Sequence, residues 1–72
     1  MKIYHCYKTI IINNKEIINT FYVGTRFKDA LFCSYDQGGA IIDIMFRKEI
    51  IKSFLVFNGY IVKEINKSIN NS

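Results

Sequence analysis

Apolar and polar residues fall into short runs along this chain, and the runs are broken only by Asn, Asp and Gly, because there is no proline. The clear breaks are Asn13-Asn14, Asp36-Gln37-Gly38-Gly39 and Asn58-Gly59. Residues Lys2 to Ile12 and Glu16 to Phe27 are rich in Ile, Tyr, Thr, Phe and Val, side chains that suit a pleated, half-buried surface. With Asn13-Asn14-Lys15 between them, the two runs read as a β-hairpin. Placing Asn14-Lys15 at the turn makes Tyr7 face Tyr22, Thr9 face Thr20 and Ile11 face Ile18. One face is then mostly apolar (Tyr4, Cys6, Ile10, Ile12, Ile17, Phe21, Val23). The other is amphipathic (His5, Tyr7, Thr9, Thr20, Tyr22, Arg26). A register slipped by two residues, or a bulge, fits the same pattern.

Thr25 can cap a short helix from Arg26 to Tyr35, with Phe27, Ala30 and Leu31 at helical spacing and Gly38-Gly39 ending the segment. Ala40 to Phe46 is a brief β-branched run of the kind found in central strands. Arg47 to Phe57 reads as a second helix, because Phe46, Ile50, Phe54 and Phe57 share one face at 100° per residue. Asn58-Gly59 then serves as its C-terminal cap. Tyr60 to Ile65 alternates as a last strand.

The order strand, strand, short helix, strand, helix, strand predicts an α+β fold: a small single-layer sheet of about four strands with helices on one face. Residues 1–66 form the expected single domain, and residues 67–72 an expected flexible polar tail.

Composition changes this picture little. Ile, Lys, Asn, Phe and Tyr supply 40 of the 72 residues. All five have AT-rich codons, which points to a low-GC genome and lowers the weight of any one Lys or Asn. The net charge of +4 divides into +2 for each half of the chain, so no basic block stands out in the sequence. An even excess of that size suits an anionic partner without requiring one. Cys6 and Cys33 match neither a zinc-ligand spacing nor a redox dithiol, so both are expected to be free thiols in a reducing compartment. No secretory signal opens the sequence and no apolar run approaches a membrane span. The expected location is the cytoplasm of a low-GC host cell, away from membranes.

The candidate chemistry is thin. His5 and Cys6 are neighbours on a strand and point to opposite faces, so one cannot activate the other. His5 with Cys33 stays geometrically open. One His and two Cys are too few for a metal site without a carboxylate partner. Asp29, Asp36 and Asp43 recur every seven residues, but Gly38-Gly39 breaks any helix that would align them. Asp43 lies inside the most apolar strand and there needs a hydrogen-bond partner, unless it points outward. Gly38-Gly39 precedes a strand and not a helix, so it does not have the form of a phosphate-cradling loop. No enzyme is expected, and no cofactor or metal.

Two surfaces are the candidate sites. His5, Tyr7, Tyr22 and Arg26, with Lys28 nearby, would set aromatics beside cations, as a nucleic-acid or nucleotide stacking platform requires. The same residues would also suit a hairpin held by cross-strand pairs. Phe54, Leu55, Val56 and Phe57 would make the end of the second helix apolar all round. That end calls for cover from a dimer or a protein partner, unless the first helix and the tail supply it. The sequence reading is therefore a small non-enzymatic protein-binding module. By analogy of size and composition, it would be a phage or mobile-element inhibitor of a host defence system, resembling the inhibitors of CRISPR effectors. A larger protein is the expected partner, with a homodimer also in view. The alternative is a nucleic-acid or nucleotide binder using the Tyr/Arg hairpin face.

Overall fold

A computed structural model describes residues 1–65. The expected tail at 67–72 lies outside the described residues. Five strands and one helix follow in order: β1 (Lys2–Ile12), β2 (Lys15–Gly24), α1 (Phe27–Cys33), β3 (Gly39–Phe46), β4 (Glu49–Phe57) and β5 (Tyr60–Ile65). The strands form one sheet in the order β2-β1-β3-β4-β5, with every neighbouring pair antiparallel.

The fold is mostly β, not an α+β fold with two helices. The hairpin, the short helix, the strand ending at Phe46 and the strand Tyr60–Ile65 lie where the sequence pattern put them. The second helix does not exist. Arg47 and Lys48 form a two-residue turn, and Glu49–Phe57 runs back along β3 as a strand. Asn58-Gly59 is accordingly a hairpin turn and not a helix cap, with φ of 50° and 87°. Positive φ at both central residues defines the type I′ turn, whose twist matches that of the flanking strands.

Asn13-Asn14 (φ 53° and 64°) and Arg47-Lys48 (φ 53° and 68°) have the same form. The left-handed region costs a residue with a Cβ on the order of 1–2 kcal/mol, and Asn tolerates it best.

The hairpin register also differs from the sequence reading. Ile12 pairs with Lys15, so Asn13-Asn14 occupies the turn, and Tyr7 pairs with Thr20. An irregularity after Cys6 then inserts Phe21 as an extra residue, and Cys6 pairs with Tyr22. Tyr7 and Tyr22 therefore sit on opposite faces of the sheet.

β2 and β3 both run antiparallel to β1, so the chain must return from one end of the sheet to the other between them. Helix α1 makes that crossing and packs on β1 and β2. Its N-cap is Arg26 rather than Thr25, and no side chain caps it. Ser34 closes the other end by donating its hydroxyl to the Leu31 carbonyl at 2.6 Å. The core lies between α1 and the sheet: Cys6, Ala30, Ala40, Ile42 and Val56 are buried, with Tyr4, Tyr22, Phe27, Leu31 and Phe54 packed around them. The Tyr22 ring lies over Gly24, where a Cβ would collide with it. From there its hydroxyl accepts the Arg26 N–H at 3.2 Å.

Candidate functional site

β1 pairs with β3 only from Lys2 to Tyr7, yet its pairing with β2 continues to Ile12. The last turn of the hairpin thus projects beyond the top of β3, which begins at Gly39. At about 3.3 Å per residue, Ile10 to Ile12 reach roughly 10 Å past the body of the sheet. Strand alternation places Ile11 and Ile18 on the face away from α1, and Ile12 and Ile17 on the α1 side. All four are exposed, Ile11 at 73% and Ile18 at 58%. Burial of an isoleucine side chain is worth about 1.5–3 kcal/mol, so four left in water are a concentration of unused burial.

At the base of this finger lies an open depression of about 360 Å³, lined by Lys8, Thr9, Gly39, Ala40, Ile41 and Leu55. Ile41 and Leu55 are cross-strand partners on the face away from α1. Gly39 offers no side chain to close the depression, and a Cβ there would meet nothing within 4 Å. Lys8 is turned the other way, donating to the Gln37 carbonyl at 2.6 Å. Finger and depression together give an apolar track along one face, from Leu55 through Ile41 to Ile11 and Ile18.

The sequence-derived site residues divide between locations. Tyr7 is buried and donates its hydroxyl to Asp43 Oδ2 at 2.9 Å, while Ser53 Oγ donates to Oδ1 at 2.6 Å. Asp43 therefore points away from α1, yet it is only 4% exposed. His5 lies beside Tyr7, its ring centroid 4.6 Å away, and hydrogen-bonds Thr20 Oγ1 through Nε2 at 2.8 Å. It faces away from the helix that carries Cys33. Tyr22 is on the opposite face in the core, and Arg26 meets Asp29 at 3.5 Å on the surface. Lys28 is exposed on α1. The aromatic–cation platform is not assembled, because the bulge sends the two tyrosines to different faces.

The predicted helix end is likewise dispersed along β4. Val56 is buried, Phe54 packs on Phe27 at 6.0 Å between ring centroids, Leu55 lines the depression, and Phe57 is half exposed at the strand end.

Burial pushes the Cys6 thiol up to about 11, with Cys33 nearby adding to the effect. A thiol so resistant to ionisation is a poor nucleophile. Among the described residues no three His, Cys, Asp or Glu side chains converge as a metal-ligand set. No helix among them is long and apolar enough to cross a membrane.

The isoleucines of the finger carried no weight as site residues in the sequence, since Ile is the commonest residue and suits any strand. The unequal lengths of β1's two pairings are what expose them. Comparison with protein-family models, with curated proteins and with solved structures finds no match.

Proposed function

We propose that this chain is a small non-enzymatic protein-binding module that inserts its projecting hairpin into an apolar groove of a larger protein. One observation supports this reading above the others: Ile11, Ile12, Ile17 and Ile18 stand exposed on both faces of a β-ribbon that the rest of the sheet does not cover. The depression at its base, with Leu55 and Ile41, extends the contact on one face. A two-stranded ribbon held by a type I′ turn is ordered before it binds, which limits the entropy lost on association.

Within this reading the chain acts by occupying a functional surface of its target. Its small size and AT-rich composition suit a phage or mobile-element inhibitor working in the cytoplasm of a low-GC host cell. Ile11→Thr with Ile18→Thr keeps β-branched residues on the strands and removes apolar surface. Capture on immobilised chain from a nuclease-treated low-GC bacterial lysate should yield a stoichiometric protein whose recovery the double variant lowers at least tenfold. Equal recovery by parent and variant would refute the hairpin as the contact.

A further inference from the structure

The end of the sheet opposite the hairpin finger gathers the positive charge. Lys2 opens β1, Arg47 and Lys48 form the β3–β4 turn, Lys52 lies on β4 four positions after Lys48 and pairs with Ile44, and Arg26 and Lys28 lie where β2 passes into α1. All six are exposed, and only Asp29 and Glu49 share that end. On the rest of the described chain, Lys8, Lys15 and Lys63 stand against Glu16, Asp36, Asp43 and Glu64. The net charge is therefore +4 at one end and −1 over the remainder. Among the described residues no hydrogen bond or ion pair engages the side chains of Lys2, Lys28, Lys48 or Lys52, and the one ion pair at this end is Arg26 with Asp29.

A second observation falls on the same residues. The three two-residue turns of the sheet share positive φ at both central positions. Two use Asn-Asn and Asn-Gly, which suit that conformation. The third uses Arg47-Lys48, which the conformation disfavours, at the tip of the basic end. Backbone strain held at a surface turn directs attention to what its side chains do.

We infer that this basic end is a docking surface for the phosphate backbone of double-stranded nucleic acid, with the Arg47-Lys48 turn at its centre. The cations lie on neighbouring segments across the sheet end, matching a line of phosphates rather than a single anion in a pocket. Among the described residues no exposed aromatic side chain lies at this end to anchor a protein contact. Tyr4 and Phe27 are half-buried against each other with ring centroids 5.4 Å apart, and the Phe46 ring lies under the Arg47 guanidinium at 5.1 Å. Those rings are equally unavailable to stack on the bases of a single strand. At this end β1, β3 and β4 run side by side, so the cations are spread across three strands and not gathered at one point. The contact is with phosphates and is independent of sequence.

The test is fluorescence anisotropy with a labelled 20-base-pair DNA duplex, titrated from 50 to 200 mM salt. With about four phosphates neutralised, affinity should fall roughly 100-fold over that range. Arg47→Asn with Lys48→Gly installs turn residues suited to the backbone, so the fold is retained while two cations go, and a thermal melt at or above the parent's verifies this. That variant should bind at least tenfold more weakly at 50 mM, with a salt slope smaller by about 1.8. Lys15→Gln with Lys63→Gln removes the same charge from elsewhere and should change affinity less than threefold. Equal losses from the two variants would reduce the effect to net charge and overturn the site. So would no binding at 50 mM, or competition by polyglutamate as effective as unlabelled duplex, which would indicate an acidic protein instead.

Discussion

Tyr7 Oη on β1 donates a 2.9 Å hydrogen bond to Asp43 Oδ2 on β3, across 36 positions of chain. Ser53 on β4 donates to the other carboxylate oxygen. The three central strands are thus joined through one buried acid whose oxygens both have hydroxyl partners, as a carboxylate withdrawn from water requires. Tyr7→Phe removes one donor and should cost about 1–3 kcal/mol in urea denaturation, the range for leaving a buried acceptor without its partner. Ser53→Ala should cost a similar amount. Because both donors share Asp43, the double variant should depart from the sum of the two singles. Additive losses would show the two bonds to be independent.

The turns offer a converse test. Gly59 sits at φ 87°, and a Cβ there would come within 3.2 Å of the Tyr35 ring. Gly59→Ala should therefore destabilise by about 1–2 kcal/mol, from the left-handed conformation alone. Arg47→Asn with Lys48→Gly relieves the same strain at the β3–β4 turn and should raise the melting temperature. A drop in melting temperature would mean the Arg and Lys side chains stabilise the fold by more than their backbone costs.

Cys6 sets a pH dependence. Its folded value of about 11 stands above the ordinary 9.0 for the thiol. The folded chain thus holds its proton where the unfolded chain has begun to lose it. The corresponding stability is fully present below pH 9 and declines as pH rises through 11, by roughly 3 kcal/mol in all. Cys6→Ala should flatten this part of the stability profile, measured against the parent in urea at pH 8 and pH 10.5. At pH 8, iodoacetamide should modify the partly exposed Cys33 well before the buried Cys6. Equal rates would mean that the strand opens readily to solvent.

Much of the fold was legible because local chemistry and tertiary packing agreed there. Asn13-Asn14 between β-branched runs has the form of a hairpin, and Tyr60–Ile65 alternates as a strand should. The error at β4 had two physical sources. Arg47-Lys48 carries none of the residues that ordinarily mark a turn, so Phe46 and Ile50 looked continuous on a helix face. The bulge between β3 and β4 beside Met45 also spoils the period-two alternation along β4. What decided the matter was long-range pairing: Ser53 serves Asp43 only from a strand beside β3. The Asn-Gly signal at 58–59 was present, and apolar runs on both sides of it favour a hairpin over a helix cap.

The candidate site was less legible. The Tyr7/Tyr22 pairing depended on a register that one extra residue, Phe21, reverses from one face to the other. The basic end was invisible to a count along the chain, since its cations come from residues 2, 26, 28, 47, 48 and 52 and meet only through the strand order. The exposed finger follows from the same order, because β3 begins at Gly39 and leaves the last turn of the hairpin without a neighbour.

Hydrogen exchange on the chain with and without its captured protein partner tests the binding claim most directly. With the hairpin as the contact, exchange slows from Thr9 to Asn19 and around Ile41 and Leu55 in the complex, and the basic end is unchanged. Protection confined to the β5 edge or to the outer face of α1, with the hairpin exchanging as in the free chain, would contradict it.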